Sequence, residues 1–413
     1  MSSNLPRRAK FASALLRTAA ALSRATGRGD GSVIGGRVGL IVEPRLLELL
    51  AEGRQVVLIS GTNGKTTTTR FATAALEASG PVATNSFGAN MPTGHTTALA
   101  KTPRAQFAAL EVDEHYLGQL LEAAHPKTVA LLNLSRDQLD RAMEVTALAA
   151  KWREVLQTVN DVNVVANADD PLIVWAASVC PNVTWVAGGQ RWQEDSNVCP
   201  WCSKHLDRFG EYWRCAACHA TRPTPHWSVS DHGDQVVGPD GSLYDLDLQL
   251  PGRVNQANAA TALAIASIFG VDPAMAAPRL TNVKSVAGRY AKVQRNGRQL
   301  RLLLAKNPAG WLENFDMIEP NSPVVLALNA REVDGFDTSW IYDVDFTPLQ
   351  RRDVYVIGDR QTDLAVRLQV DGVEFTALED IRAAVDTVPA GPVEVVANYT
   401  AFQDIRKEFD RVN

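Results

Sequence analysis

Short unbroken runs of apolar residues, each ending in a polar loop, recur along the chain. The first is Val56-Val57-Leu58-Ile59 within Gln55–Ser60. A run closing on Leu110-Glu111 follows, then Val129 to Leu132 and Val162 to Val165. Apolar residues at successive rather than alternate positions imply burial on both faces, as in a parallel sheet covered by helices. Each run releases polar residues at its C-terminal end, the edge where open α/β sheets bind ligands. The alternation resumes with Leu302-Leu303-Leu304, Val324 to Leu328, Val354 to Gly358 and Val393 to Val396. The pattern predicts a helical segment over 1–50, an α/β domain over 51–292 and a second, Rossmann-like α/β domain over 293–413.

The N-terminal segment has a different character. Its first 40 residues carry seven basic side chains against Asp30, a net +6, which leaves −11 for the remainder. Arg17 interrupts the apolar run Phe11 to Leu22, so the segment lacks the unbroken apolar stretch of a cleaved signal peptide. It reads as a basic amphipathic helix that either packs on the next domain or touches anionic lipid.

Composition narrows the class. The 413 residues are 46% hydrophobic and 21% charged, enough for large cores and too long for one ordinary domain. No stretch approaches the ~20 consecutive apolar residues of a membrane span. A net charge of −5 argues against a bulk nucleic-acid binder, and no nucleic-acid partner is expected. Four of the five cysteines fall in one tight cluster, which suits a metal site in a reducing compartment better than a disulfide framework.

The loop after the first strand is Gly61-Thr62-Asn63-Gly64-Lys65-Thr66-Thr67, opening a helix. Strand, glycine turn and helix N-terminus make an anion site in which backbone N–H groups and the helix dipole face phosphate. Lys65 would reach the β- and γ-phosphates of ATP, and the Thr66 hydroxyl would ligate Mg²⁺. Ile59 stands where the strict phosphate-loop pattern has its first glycine, so this is a shortened variant. Glu111, ending the next strand, is the first candidate to assist the Mg²⁺, and Glu114 the second. Later strands lead into Asn133-Leu134-Ser135-Arg136-Asp137-Gln138-Leu139-Asp140-Arg141 and Asn167-Ala168-Asp169-Asp170-Pro171.

Cys199-Pro200-Trp201-Cys202 and Cys215-Ala216-Ala217-Cys218 form two C-x2-C knuckles twelve residues apart. Four thiolates at this spacing are the pattern of a structural Zn²⁺ ribbon, with no ligand position left open for water. The ribbon spans about 195–225 and reads as an insertion into the first domain. In the second domain, Asp334, Asp337, Asp343 and Asp345 crowd the loop after a strand. They are either a site or a hydrated acidic loop.

The phosphate loop, Glu111, the Asp-x-Leu-Asp-Arg segment, Asn-Ala-Asp-Asp-Pro, Gly252-Arg253-Val254-Asn255-Gln256-Ala257-Asn258 and Gly288-Arg289 together resemble the Mur ligase superfamily. Those ATP-dependent ligases activate a carboxylate as an acyl phosphate, which an amine then attacks. The resemblance implies that Asn255 lies near adenine, that Asp170 lies near the nucleotide and that Arg289 belongs to the nucleotide site. Gln138 stands where amino-acid-adding members have a histidine for a second Mg²⁺, and Lys151 is the nearest match to the family's carbamylated lysine.

The ribbon, Leu304-Ala305-Lys306-Asn307-Pro308-Ala309-Gly310 and Asp-Gly-Phe-Asp-Thr-Ser-Trp-Ile-Tyr-Asp narrow the resemblance to the MurT family. It implies a Mur-ligase-like P-loop ATPase domain with an inserted zinc ribbon and a C-terminal domain that contacts a GatD-type glutamine amidotransferase. The implied activity is amidation of the D-glutamate α-carboxylate in the lipid II stem peptide during peptidoglycan synthesis. Asp337 is then the catalytic carboxylate that orients the partner's histidine, with Asp334 and Asp343 as fallbacks. A cytoplasmic protein is implied, and the basic N-terminus leaves open contact with the inner face of the membrane. The alternative activity is a stand-alone ligase of the Mur or folylpolyglutamate type that adds an amino acid, against which Gln138 and the ribbon weigh. A zinc-dependent scaffold that binds nucleotide without chemistry is the third reading.

Overall fold

The structure, a computed structural model, describes residues 5–27, 29–85, 88–136, 144–284, 290–331 and 336–410. The chain divides into two compact units. The first comprises 1–134, 145–249 and 253–284, and the second 135–144, 250–252 and 285–413.

The first unit is built on β1 (Gln55–Ser60), β2 (Val82–Thr84), β3 (Phe107–Glu111), β4 (Thr128–Leu131), β5 (Asn163–Asn167) and β6 (Val183–Ala187). The apolar runs predicted as strands are β1, β3, β4 and β5, and β1 is buried from Val56 onward. Past β6 the chain makes a separate hairpin, β7 (Asp207–Phe209) and β8 (Tyr212–Arg214), that carries the cysteine cluster. It then returns as β9 (Trp227–Val229), β10 (Gln235–Val237) and β11 (Leu243–Asp245). The sheet order is β11-β10-β9-β6-β5-β4-β1-β3-β2, parallel from β2 to β9 and antiparallel at the last two strands. That antiparallel extension has no long apolar run, and the sequence pattern did not foretell it. Helix Lys65–Leu76 packs against helix Arg253–Ile268.

Helices Arg7–Ala25 and Ser32–Val42 belong to this unit. The first buries Ala9, Ala12, Ser13, Leu16 and Ala20. The second turns glycines inward, because a Cβ on Gly36 would stand 1.8 Å from the Thr93 carbonyl oxygen. Small residues on both sides let the backbones approach closely. No helix among the described residues is long and apolar enough to cross a membrane.

The second unit holds β12 (Tyr290–Arg295), β13 (Arg298–Leu304), β14 (Val324–Ala327), β15 (Val354–Ile357), β16 (Thr376–Ala377) and β17 (Gly391–Ala397). Their order is β12-β13-β17-β14-β15-β16, with only the β12–β13 hairpin antiparallel. This is the expected Rossmann-like sheet. Trp311, Phe315, Trp340 and Phe346 make an aromatic core, with Trp311 and Phe346 ring centres 5.8 Å apart. Burying Trp340 anchors the turn Ser339–Asp343, and with it the neighbouring Asp337.

Candidate active site

β1 ends at a buried serine, and the chain reverses through Gly61 and Gly64 into helix Lys65–Leu76. Gly64 sits at φ +82°, and a Cβ there would lie 2.8 Å from the Asn258 amide oxygen. Both the left-handed backbone and the close neighbour therefore require glycine. Asn258 also accepts a hydrogen bond from the Thr68 hydroxyl at 3.0 Å. Asn133, just past β4, clamps the loop from the other side. Its side chain accepts from the Asn63 N–H at 2.9 Å and donates to the Asn63 carbonyl at 3.1 Å, while its own carbonyl accepts from the Thr62 N–H. Neither asparagine was singled out as a site residue from the sequence. Their position at the end of one strand and the start of one helix was the available signal.

Lys65 is buried and folds back over the loop. Its ammonium donates to the Gly61 carbonyl at 2.5 Å and pairs with the Glu114 carboxylate at 2.8 Å. Burial favours the neutral acid at Glu114, but the Lys65 charge outweighs it and holds the carboxyl below its ordinary value. Asp113 and His115 bring ligand atoms to the same turn as Glu114, all within 4.8 Å of one another. The Thr66 hydroxyl is buried and has no hydrogen-bond partner among the described residues. A partnerless hydroxyl oxygen in the first turn of the helix, beside the loop, suits a metal ligand. Thr67 is buried in the same first turn.

Glu111 is also buried, and its carboxylate takes no ion pair or hydrogen bond among the described residues. Its backbone is fixed on both sides. The N–H donates to the Asn85 side chain at 2.8 Å, and the carbonyl accepts from His95 Nε2 at 2.6 Å. Full burial pushes the His95 pKa down to about 4, so the ring is neutral at pH 7.

Asp170 is fully buried, and its carboxylate accepts the N–H groups of Leu134, Leu172 and Ile173. It caps helix Pro171–Ala177 and ties the loop after β4 to the loop after β5. Burial raises its pKa to about 6 against those donors. The neighbouring Asp169 accepts from Gly188 and Gly189 N–H and pairs with Arg222 at 2.6 Å. Asn255 lies in the first turn of helix Arg253–Ile268 and accepts from Asn258 at 3.5 Å. Arg289, Gln138 and Asp334 lie outside the described residues. Lys151 is exposed on helix Val145–Leu156.

The four cysteine sulfurs all lie within 4.8 Å of one another, with Cys199–Cys218 and Cys202–Cys215 each at 3.5 Å. A tetrahedral ion with S ligands at about 2.3 Å would hold them ~3.8 Å apart. The two knuckles share one backbone design. Ser203 and His219 have positive φ and donate back to the Cys199 and Cys215 carbonyls. The N–H groups of Cys218 and Ala217 lower the Cys215 pKa to about 7, whereas burial pushes Cys199 up to about 12. Four converging thiols, two of them buried and one of these, Cys199, costly to ionise alone, fit a bound cation. Trp213 joins the ribbon to the sheet by donating to the Ala168 carbonyl at 3.1 Å, beside the Asp169–Arg222 pair.

In the second unit Asp337 is exposed, and its carboxylate accepts the Ser339 N–H at 2.8 Å. That bond holds its pKa below the ordinary 3.8. Asp343 is paired with Arg136 at 2.9 Å.

A glycine-hinged phosphate loop at the edge of a parallel sheet, joined to a Rossmann-like second unit, defines a ligase of the Mur type. Residues 59–198 match the Mur ligase middle domain, and residues 304–402 match the MurT ligase C-terminal domain. The fold is similar to a pseudomurein peptide ligase type C from Methanothermus fervidus, with TM-score 0.67, 18% identity, and 87% of this chain and 79% of that one covered. Over 92% of each chain, the protein is 30% identical to the lipid II isoglutaminyl synthase (glutamine-hydrolyzing) subunit MurT of Streptococcus pneumoniae. The corresponding subunit of Staphylococcus aureus (strain COL) is 28% identical over 96% of this chain and 97% of its own. The chain belongs to the MurT family.

Proposed function

We propose that the chain is the ATP-dependent ligase subunit that amidates the α-carboxylate of D-glutamate in the lipid II stem peptide. A carboxylate oxygen attacks the γ-phosphorus of ATP, the bond to ADP breaks, and an acyl phosphate forms. Ammonia adds to the acyl carbon, inorganic phosphate leaves, and D-isoglutamine remains. The observation that carries the reading is the loop itself, with Lys65 buried over it, the orphaned Thr66 hydroxyl and the uncommitted Glu111 carboxylate.

In this reading Lys65 exchanges Glu114 for phosphate oxygens as nucleotide binds. Thr66 and Glu111 would hold Mg²⁺, which neutralises charge on the transferring phosphoryl group. Gly61 to Thr67 supply backbone donors, while Asn133 and Asn258 keep the loop from relaxing. Asn255, Asp170 and Arg289 are assigned to the nucleotide side on family resemblance, and the three N–H bonds of Asp170 support a positioning role. Ammonia comes from a GatD-type glutamine amidotransferase, whose histidine Asp337 orients. Its exposure and anchored, ionised carboxylate support that role.

The decisive experiment incubates the chain and a candidate glutaminase with lipid II, MgATP and glutamine. Each amidated stem should lose about one mass unit, as acid becomes amide, with one ADP released per amide. ADP release driven by an amino acid, with the stem mass increased by that residue, would instead establish the stand-alone ligase.

The four thiols are proposed to hold a structural Zn²⁺, and its loss has a measurable consequence. Stripping the ion with a chelator should lower the melting temperature by more than about 5 °C, because ribbon folding and metal binding are one free energy. Equal melting with and without chelator, in a chain shown by mass spectrometry to carry no metal, would reject the site.

A further inference from the structure

We propose that the outward face of the two N-terminal helices is a membrane-interface surface that seats on anionic phospholipid. The inward faces are accounted for by the small residues that pack them, but the outward faces are not. Five of the sixteen large apolar side chains exposed among the described residues lie between Phe11 and Ile41, under a tenth of the chain. Scattered exposed apolar residues need no explanation, whereas a cluster does.

The spacing gives the cluster a shape. On helix Arg7–Ala25, exposed Phe11, Ala14, Leu22 and Ala25 lie along one stripe at 3.6 residues per turn, with Thr18 in its middle and Arg7 at its N-terminal end. Lys10, Arg17 and Arg24 recur every seven residues along one flank of that stripe, and Arg8 lies on the other. On helix Ser32–Val42 the exposed side chains Val33, Ile34 and Ile41 surround Arg37. Phe11, Leu22 and Ile41 are the most exposed of the five, at 60%, 61% and 72%.

The acids between residues 5 and 43 are Asp30 and Glu43. Asp30 accepts from the Ser32 N–H at the start of the second helix, and Glu43 pairs with Arg8 at 3.7 Å. Arg17 and Arg24 each donate a guanidinium N–H to a backbone carbonyl, of Ala100 and Asp30, contacts that do not neutralise their charge.

An apolar stripe bordered by cationic side chains matches the layering of a bilayer surface. Apolar groups enter the acyl boundary while long basic side chains reach the phosphates. A second copy of the chain is the poorer occupant, since it would bring basic rows against basic rows. The net +6 of the first 40 residues, against −11 for the rest, would also orient this end toward an anionic surface.

The test is co-sedimentation of the full chain with vesicles of phosphatidylcholine, with and without phosphatidylglycerol, lacking any lipid-linked peptide and nucleotide. Its outcome is therefore independent of the catalytic reading. Wild type should partition onto anionic vesicles and be released by 1 M salt. The triple variant Lys10→Gln, Arg17→Gln, Arg24→Gln should partition about 100-fold more weakly. Phe11→Ser with Leu22→Ser should weaken partitioning at least about tenfold. Both variants alter exposed positions, and unchanged melting curves establish that they fold. No partitioning by wild type, equal partitioning onto neutral vesicles, or variants that bind like wild type would overturn the proposal. So would loss of a dimer in the Phe11/Leu22 variant, which would assign the face to a second copy.

Discussion

Lys65→Ala should lower ATP-dependent amidation at least about 1,000-fold while leaving the fold and the binding of the glutaminase intact. Phosphoryl transfer depends on positioning and on neutralising charge over the phosphate oxygens, and a fixed cation in a water-poor site contributes on the order of 3–4 kcal/mol to that. Lys65 is the ammonium buried in the phosphate loop, held within reach of the Gly61 and Thr62 carbonyls. Its removal also leaves the partly buried Glu114 without its ion-pair partner, so the apo protein should lose some stability. The test is steady-state ADP release with lipid II and ammonia, alongside a melting curve. Wild-type turnover in the variant would remove the loop from the mechanism.

Asp337→Asn should abolish glutamine-dependent amidation in the assembled complex, by roughly 10³- to 10⁴-fold, yet leave amidation from added ammonia near wild type. A carboxylate that orients an imidazole acts on formation of the partner's nucleophile, not on phosphoryl transfer. The two nitrogen sources therefore separate its role from a structural one. The asparagine can still accept the Ser339 N–H, so the turn should persist. Equal loss with both nitrogen sources would place Asp337 in the ligase chemistry or in folding, and no loss with either would discard the role.

Much of this architecture was legible before any coordinates. Uninterrupted apolar runs identify β1, β3, β4 and β5 because a strand covered on both faces tolerates no polar alternation. Gly64 before Lys65 announces the sharp turn into helix Lys65–Leu76 because a left-handed residue precedes the helix there. The cysteine knuckles are equally explicit, since two residues between thiols let each pair turn inward and the four sulfurs converge. By contrast, β9 to β11 are short and mixed in polarity, and periodicity does not find them. The second unit followed the same logic, with its strands visible and its turn at Asp337 open to two readings.

The sequence alone determined the buried strands and the chemical inventory, because local spacing, backbone preference and apolar pattern act over a few residues. Only the tertiary structure decided how that inventory is divided. It committed Asp170 to three backbone N–H groups and Asp169 to Arg222, and it left the Glu111 carboxylate and the Thr66 hydroxyl without partners among the described residues. It also brought Asn133 and Asn258 onto the loop from strands and helices far apart in the chain. Hydrogen-bond satisfaction and charge pairing are properties of neighbours in space, and no pattern along the chain records them.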